Sequence, residues 1–364
     1  MKKRLFLVLS VLLTTLSIQA ADGDTFTANT VEGVEMTFKV ISEEAKTCLV
    51  GEGSSASIPT STSGAVTIPA TANGYSVKTI THKAFYNCSS LTSITIPKGV
   101  TSIGNHAFYG CKSLESANIP EGVTSIGTEA FANCISLTSI TIPESMTMMS
   151  SYAFSFCSGL TNIVVEDGNK AFDSRNGCNA IIKSSTNELI VGCKNTVIPK
   201  GVTSIANRAF FGCSSQTSIT IPEGVKSIGN SAFNSCRSLT SITIPESVTN
   251  FGDNAFRNCS LTSITIPEGV TTIGDDAFYG CSDLTIITSK ILEPFAVNCF
   301  QYTTTNATLY VPKGTVEKYK ATDGWKEFKT IKEIKEYDEH YDVNRDGKID
   351  VTDVTLLIDW ILIH

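Results

Sequence analysis

A unit of 23 residues recurs along this chain, and a short fixed period leaves few possible folds. Leu91–Leu114 reads LTSITIPKGVTSIGNHAFYGCKSL, Leu114–Leu137 repeats it, and Leu239–Leu261 is a later copy. The string Ala-Phe-x-x-Cys marks each copy, with its Phe at Phe85, Phe108, Phe131, Phe154, Phe210, Phe233, Phe256 and Phe278. A repeat this short cannot enclose a core of its own, so copies must stack and bury one another. The repeats therefore override the prior of two or three domains that 364 residues would suggest.

Within a copy the pattern is that of short strands. Leu91, Ile94 and Ile96 alternate with Ser93 and Thr95, as in a strand with one buried face. Pro97 ends it, since Pro cannot donate to a continuing ladder. Lys98-Gly99 turns the chain, Val100–Ile103 alternates again, and Gly104 breaks that second strand. Asn105–Cys111 is expected to form one helical or 3-10 turn that sends Ala107, Phe108 and Cys111 inward. The expected fold is a mainly β repeat solenoid of about ten coils, each one strand spacing from the next.

The rest of the chain falls around this stack. Residues 1–20 read as a secretory signal peptide, with Lys2, Lys3 and Arg4 before an apolar run from Leu5 to Ile18 and a small-residue end at Ala20-Ala21. No later stretch is apolar enough to span a bilayer. Residues 21–64 lack the repeat and read as an N-terminal β cap, with Met36–Ile41 as a strand between Gly33 and Gly51. The solenoid is placed at 65–334. Residues 164–196 interrupt it, where Ala180–Lys183 and Glu188–Val191 flank a polar turn as a hairpin would. Val316–Tyr319 and Trp325–Phe328 read as short helical pieces closing the stack. Residues 335–341 are a charged linker, and 342–364 form a separate tail.

Three regular features are candidates for function. The outward strand positions carry small hydroxyls: Ser93, Thr95, Ser139, Thr141, Ser218, Thr220, Ser241, Thr243, Ser263 and Thr265. Such a face offers donors and acceptors with almost no charge, suited to a protein or glycan surface; equally, it would solubilise the strands and pair across them. Ala117-Asn118 is expected to interrupt it, which counts against a water-ordering array. Glu121, Glu144, Glu223, Glu246 and Glu268 follow the turn Pro; they could hold cations or a basic partner, or form a solvated edge that discourages pairing. One Cys per coil at one phase reads as buried thiols, with Cys178 and Cys193 of the interruption as the exception, although neighbouring coils lie within disulfide reach and a secreted chain meets oxidising conditions. Zinc is not expected: no C-x-x-C occurs, and the four His (His82, His106, His340, His364) do not cluster in sequence.

The sharpest chemical signal lies in the tail. Asp342, Asn344 and Asp346 supply oxygens at positions 1, 3 and 5 of a loop, with Gly347 at 6, the Lys348 carbonyl at 7, Asp350 at 9 and Asp353 at 12. That spacing is what a Ca²⁺ loop requires, and Val354–Ile363 would follow as an apolar helix. The carboxylate at position 12 is Asp353 where an EF-hand has Glu, and Asp342–His364 resembles a single type I dockerin segment. A full dockerin has two, so a cohesin-like partner is implied only in part.

The pattern L-x-x-I-x-I-P…V-x-x-I-G-x-x-A-F-x-x-C resembles the BspA-like leucine-rich repeats of bacterial surface proteins, across roughly 65–331. The interrupting string Asp173–Ile182 resembles that family's Bacteroidetes members. The resemblance implies a secreted or cell-surface, adhesin-like binding protein. The tail implies an alternative, an accessory part of a polysaccharide-degrading assembly. The formal charge is −7, and −10 without Lys2, Lys3 and Arg4. An acidic chain without a basic run is a poor partner for nucleic acid or anionic membranes. No nucleophile elbow, phosphate loop, zinc signature or dinucleotide glycine motif occurs, so no enzyme is expected.

Overall fold

A computed structural model describes residues 21–303 and 307–334. The expected signal peptide at 1–20, and the expected linker and calcium loop from 335 on, lie outside the described residues. The chain divides into two compact units, at 1–153 and 154–364, each a stack of short parallel strands.

Unit one begins with three strands, β1 (Thr25–Asn29), β2 (Glu35–Ser42) and β3 (Thr47–Val50), paired antiparallel in that order. β2 buries Met36, Phe38 and Val40 on one face, so this cap closes the stack with its own apolar side chains. The coils follow as β4 (Gly64–Thr67), β5 (Thr71–Ala72), β6 (Tyr75–Ile80), β7 (Leu91–Thr95), β8 (Ser102–Ile103), β9 (Ser116–Asn118), β10 (Ser125–Ile126), β11 (Ser139–Ile142) and β12 (Met148–Met149). β3, β6, β8, β10 and β12 form one parallel ladder, and β4, β7, β9 and β11 another. Glu32 sits on the outer edge of β4, where its carboxylate accepts the Thr67 N–H at 2.9 Å and the Thr67 hydroxyl at 2.7 Å. Those bonds hold its pKa down to about 2 despite some opposing desolvation. They also block an edge that would otherwise recruit another strand.

Unit two opens with β13 (Asn162–Val165). β14 (Phe172–Asp173), a short 3-10 turn at Arg175–Gly177, β15 (Ala180–Lys183) and β16 (Glu188–Gly192) follow. β15 and β16 are an antiparallel hairpin, and β16 then pairs in parallel with β17 (Ser204–Ile205). The coils continue as β18 (Ser218–Thr220), β19 (Ser227–Ile228), β20 (Ser241–Thr243), β21 (Asn250–Phe251), β22 (Ser263–Ile266), β23 (Thr272–Ile273), β24 (Ile286–Ser289) and β25 (Thr308–Val311). Helix α1 (Val316–Ala321) and β26 (Thr330–Glu333) end the stack. Trp325–Phe328 is a turn, not a helical piece; Trp325 is anchored by its indole N–H on the Phe295 carbonyl at 2.9 Å.

The interruption leaves the stack and returns to it. Phe156 N–H donates to the Phe211 carbonyl at 2.8 Å, and the two rings lie 4.6 Å apart, as neighbouring coils do elsewhere. Between them Gly192 takes the place of a column Phe: its N–H donates to the Ala209 carbonyl at 2.8 Å. A Cβ on Gly192 would lie 2.1 Å from the Phe210 ring.

The Ala-Phe-x-x-Cys segments are short turns with bonds of two kinds. Ala84, Tyr86 and Cys88 N–H donate three residues back, to the Thr81, Lys83 and Phe85 carbonyls at 3.4, 3.0 and 3.2 Å, as in a 3-10 turn. Lys83, Phe85 and Asn87 N–H donate to the next coil, to the Asn105, Ala107 and Tyr109 carbonyls at 3.1, 2.7 and 2.7 Å. His106, Phe108 and Gly110 do the same to Thr128, Ala130 and Ala132. A helix would turn these donors onto its own carbonyls. Left-handed residues at both ends of the segment prevent that, such as His106 (φ 53°) and Gly110 (φ 72°).

The Phe side chains stack in columns inside. Phe85, Phe108 and Phe131 stack at 5.0 and 4.9 Å; Phe210, Phe233, Phe256, Phe278 and Phe300 at 4.8, 5.5, 5.3 and 5.3 Å. Each buried ring contributes roughly 2–3 kcal/mol by area, which a lone coil could not gain. All twelve Cys are buried and unbridged, including Cys178 and Cys193. The thiols have a structural bond: Cys111, Cys236, Cys259 and Cys281 donate to the Phe carbonyl of the preceding coil at 3.0–3.1 Å. Thr303 takes that role in the last coil, on the Phe278 carbonyl at 2.5 Å. Burial pushes the Cys88 and Cys213 thiols up to about 12 and raises those of Cys178, Cys193 and Cys236.

The recurring Ile-Gly steps, with Phe251-Gly252 as one variant, have a spatial cause. A Cβ on Gly104, Gly127, Gly229, Gly252 or Gly274 would fall 2.4–2.7 Å from backbone or Asn/Asp oxygen of the coil before. None of these five has a left-handed φ, so each is glycine for closeness, not for conformation.

Candidate binding face

Alternation along the first strand of each coil drives the hydroxyls outward. Ile94, Ile140, Ile219 and Ile264 are buried, so their neighbours on either side face solvent. Thr95, Ser139, Thr141, Ser218, Thr220, Ser241, Thr243, Ser263 and Thr265 are exposed, and Ser93 is half-buried. The parallel register sets like beside like. Ser93 pairs with Ser116 and Ser116 with Ser139; Ser218 pairs with Ser241 and Thr220 with Thr243. β22 follows β20 through Thr262 N–H on the Thr240 carbonyl at 3.1 Å. Each unit thus brings its own predicted residues onto one face.

Two structural roles separate this face from other hydroxyls. Thr240, Thr262 and Thr285 donate to the carbonyl of the preceding coil at 3.2–3.4 Å, and Thr101, Thr124 and Thr147 form a second such ladder at 3.1–3.2 Å. Those hydroxyls are spent on stacking. The ten predicted side chains make no hydrogen bond among the described residues, so both donor and acceptor remain available to a partner.

Several expectations need correction. Ala117 does not interrupt the array: it is buried in the place of an Ile, while Ser116 and Asn118 face outward and continue the rows. In unit two the array changes at its last strands. There Ile286 stands beside Ser263, and Tyr310 and Lys332 continue the row of Thr265 and Thr288. Ile286 is 45% exposed, an apolar surface position on an otherwise hydroxyl face. The strand-Pro pattern at Leu309–Pro312 carried the signal for Tyr310; nothing local marked Ile286 as outward. The Glu residues are not only a solvated edge. Glu121 accepts the Glu144 N–H at 3.0 Å, Glu223 accepts the Glu246 N–H at 3.3 Å, and Glu246 pairs with Lys290 at 2.5 Å.

The repeat brings together two histidines that the linear spacing kept apart. His82 and His106 sit on adjacent coils with ring centroids 5.3 Å apart. His82 Nδ1 is 2.9 Å from the Asn105 carbonyl, and His106 faces Glu129 at 3.5 Å. Among the described residues no group of three or more His, Cys, Asp or Glu is placed to hold a metal. The same turn surface carries Tyr86 stacked on Tyr109 at 5.1 Å in unit one. In unit two it carries Arg257 over Tyr279 at 3.9 Å, ion-paired with Asp276 at 2.8 Å. Copies differ from one another here, whereas the hydroxyl face is nearly uniform. The predicted calcium ligands Asp342, Asn344, Asp346, Lys348, Asp350 and Asp353 lie outside the described residues. No described helix is long and apolar enough to cross a membrane.

A mainly β leucine-rich-repeat solenoid is the class that this geometry defines. The chain matches the BspA type leucine rich repeat region in six copies, over residues 78–190 and 180–308, and it belongs to that family. Among solved structures it is similar to the pneumococcal vaccine antigen PcpA, with a TM-score of 0.56 and 19% identity over 87% of this chain and 100% of that one. It is also similar to a leucine-rich repeat protein from Bacteroides ovatus, with a TM-score of 0.51 and 24% identity over 85% of this chain and 76% of that one. At those identities the likeness is one of fold. A comparison with curated proteins finds no match.

Proposed function

We propose that this chain is a non-catalytic, secreted or cell-surface binding protein, adhesin-like, that recognises an extracellular protein or glycan through the hydroxyl face of its coils. The observation that carries the reading is the ladder of exposed Ser and Thr whose hydroxyls have no partner among the described residues. Such a surface binds by many shallow, uncharged hydrogen bonds, and rows repeated at the strand spacing let weak contacts add. Membership of a repeat family of bacterial surface proteins supports the location, as does the vaccine-antigen neighbour. The apolar start of the chain supports it independently.

A second reading rests on the tail. We propose that Asp342, Asn344, Asp346, the Lys348 carbonyl, Asp350 and Asp353 hold Ca²⁺ and order residues 342–364, which would attach the chain to a cohesin-like partner in a polysaccharide-degrading assembly. One experiment separates the readings. The mature protein is used to capture partners from its native surroundings with and without calcium. Capture that persists with a chelator and needs the repeats supports recognition by the solenoid. Capture lost with the chelator supports attachment through the tail. Calorimetric titration shows whether calcium binds at all; no binding at millimolar calcium refutes the loop.

A further inference from the structure

Within the Ala-Phe-x-x-Cys turns the coil-to-coil N–H bonds point one way, so among the described residues the column in unit two ends on N–H groups without acceptors. The carbonyls of Asn298, Cys299 and Gln301 accept from Asp276, Phe278 and Gly280 at 2.9, 2.9 and 3.2 Å. A trans peptide holds its N–H opposite its C=O, and no cis bond occurs here. The Phe300 and Tyr302 N–H groups therefore face away from that turn, toward where a further coil would stack. Among the described residues neither has an acceptor.

The described residues return to this end and cover part of it. Val297 N–H donates to the Asp323 carbonyl at 3.1 Å, and Trp325 packs on Phe300 at 5.2 Å. Gly324 already lies so close that a Cβ would stand 2.0 Å from the Val297 carbonyl. Beyond it an open cavity of about 230 Å³ remains, bordered by Asn298, Phe300, Gln301, Tyr302, Gly324 and Glu327.

The earlier turns show what such a row takes. At each, the equivalent N–H groups hold main-chain carbonyl oxygens of the next coil, as Arg208, Phe210 and Gly212 do at 2.9, 2.8 and 2.9 Å. Tyr302 has the same left-handed backbone (φ 59°) as Gly280 (φ 70°), so the concavity of N–H groups is repeated. The rim adds a charge: Glu327 is exposed and forms no ion pair among the described residues. That carboxylate disfavours a free anion and favours a cation beside the bound oxygens.

We propose that this end of the solenoid is a peptide-binding site. Carbonyl oxygens of an incoming segment accept from Phe300 and Tyr302 N–H, and a Lys or Arg side chain of that segment meets Glu327. The site is separate from the hydroxyl face, so either can fail alone. The test uses the whole mature protein. Carbonyl-13C Cys with 15N Phe, and carbonyl-13C Gln with 15N Tyr, single out the two amides, because Cys299-Phe300 and Gln301-Tyr302 each occur once in the chain. Titration with acetyl-Ala-Lys-Ala-amide should shift both amides saturably. Glu327→Lys should weaken that peptide roughly threefold or more, the range of an exposed ion pair, and reverse the preference toward acetyl-Ala-Glu-Ala-amide. Three results overturn the proposal: amides unmoved at millimolar peptide, amides already protected from exchange before peptide is added, or sulfate shifting them as strongly as the Lys peptide does.

Discussion

Replacing Gly252 by Ala tests whether coil spacing, rather than backbone freedom, dictates the glycines of this fold. The added Cβ would lie 2.4 Å from Asn230 Oδ1, 2.5 Å from Asn230 N and 2.7 Å from Gly229 C. Ordinary contact begins near 3.4 Å, so the neighbouring coil must move by close to an ångström. Backbone is on the other side, and it cannot rotate away as a side chain would. Two bonds are at stake: Gly252 N–H on the Ile228 carbonyl at 2.8 Å, and Asp253 N–H on Asn230 Oδ1 at 2.9 Å. Each is worth about 1 kcal/mol net, and overpacking adds about 1–3 kcal/mol. Lower chain entropy in the unfolded state returns about 0.4–1 kcal/mol. The net expectation is a loss of about 2–5 kcal/mol, read by urea unfolding followed by far-UV circular dichroism. Gly314→Ala is the contrasting control, because it has φ +78° and nothing within 4 Å; there only the conformational cost of about 1–2 kcal/mol applies. A Gly252→Ala protein within about 0.5 kcal/mol of the parent, the range of an ordinary surface change, would refute the spacing argument.

Two further outcomes are expected. Cys88, with a thiol pushed up to about 12 by burial, should resist labelling by a thiol reagent at pH 8 until denaturant is added; ready native labelling would contradict its inward place. Glu32→Gln should destabilise the protein modestly at neutral pH. The native carboxyl titrates at about 2, below its ordinary value of 4.5, so its contribution is complete above the unfolded value and is lost as pH falls toward 2. Because Glu32 is exposed, the difference should stay under about 1 kcal/mol. A gap between parent and variant that widens on acidification would contradict the assignment.

The strand positions and the inward Leu, Ile, Phe and Cys were legible because repetition prints the same burial pattern in every copy. Twofold alternation around Ile94 or Ile264 leaves little freedom for the hydroxyls beside them. The turns were legible only in part. Seven residues ending in Cys suit a helical turn by local spacing, and only the coil-to-coil bonds of Phe85 or Phe108 select the left-handed ends. His82 and His106 were separated by one period plus one residue, so their approach depended on the coil-to-coil bonds of the turns. Ile286 looked like a strand residue of either face, and the register to Ser263 decided it. Gly192 resembled an ordinary strand end, although its missing side chain is what admits Phe210. The open row at Phe300 and Tyr302 has no local signal, since among the described residues only the coil-to-coil bonding shows that these two N–H groups lack acceptors.

The central claim is that the uncharged hydroxyl face is the recognition surface. It is tested most directly by a triple variant, Thr220→Lys, Thr243→Lys and Thr265→Lys, compared with the parent on arrays of glycans and extracellular proteins. These side chains are exposed and make no hydrogen bond among the described residues, so the variant should fold with an unchanged circular dichroism spectrum. The account predicts that the parent binds members of one of the arrays and that the folded variant loses that binding by tenfold or more. A folded variant that keeps the parent's binding would contradict it.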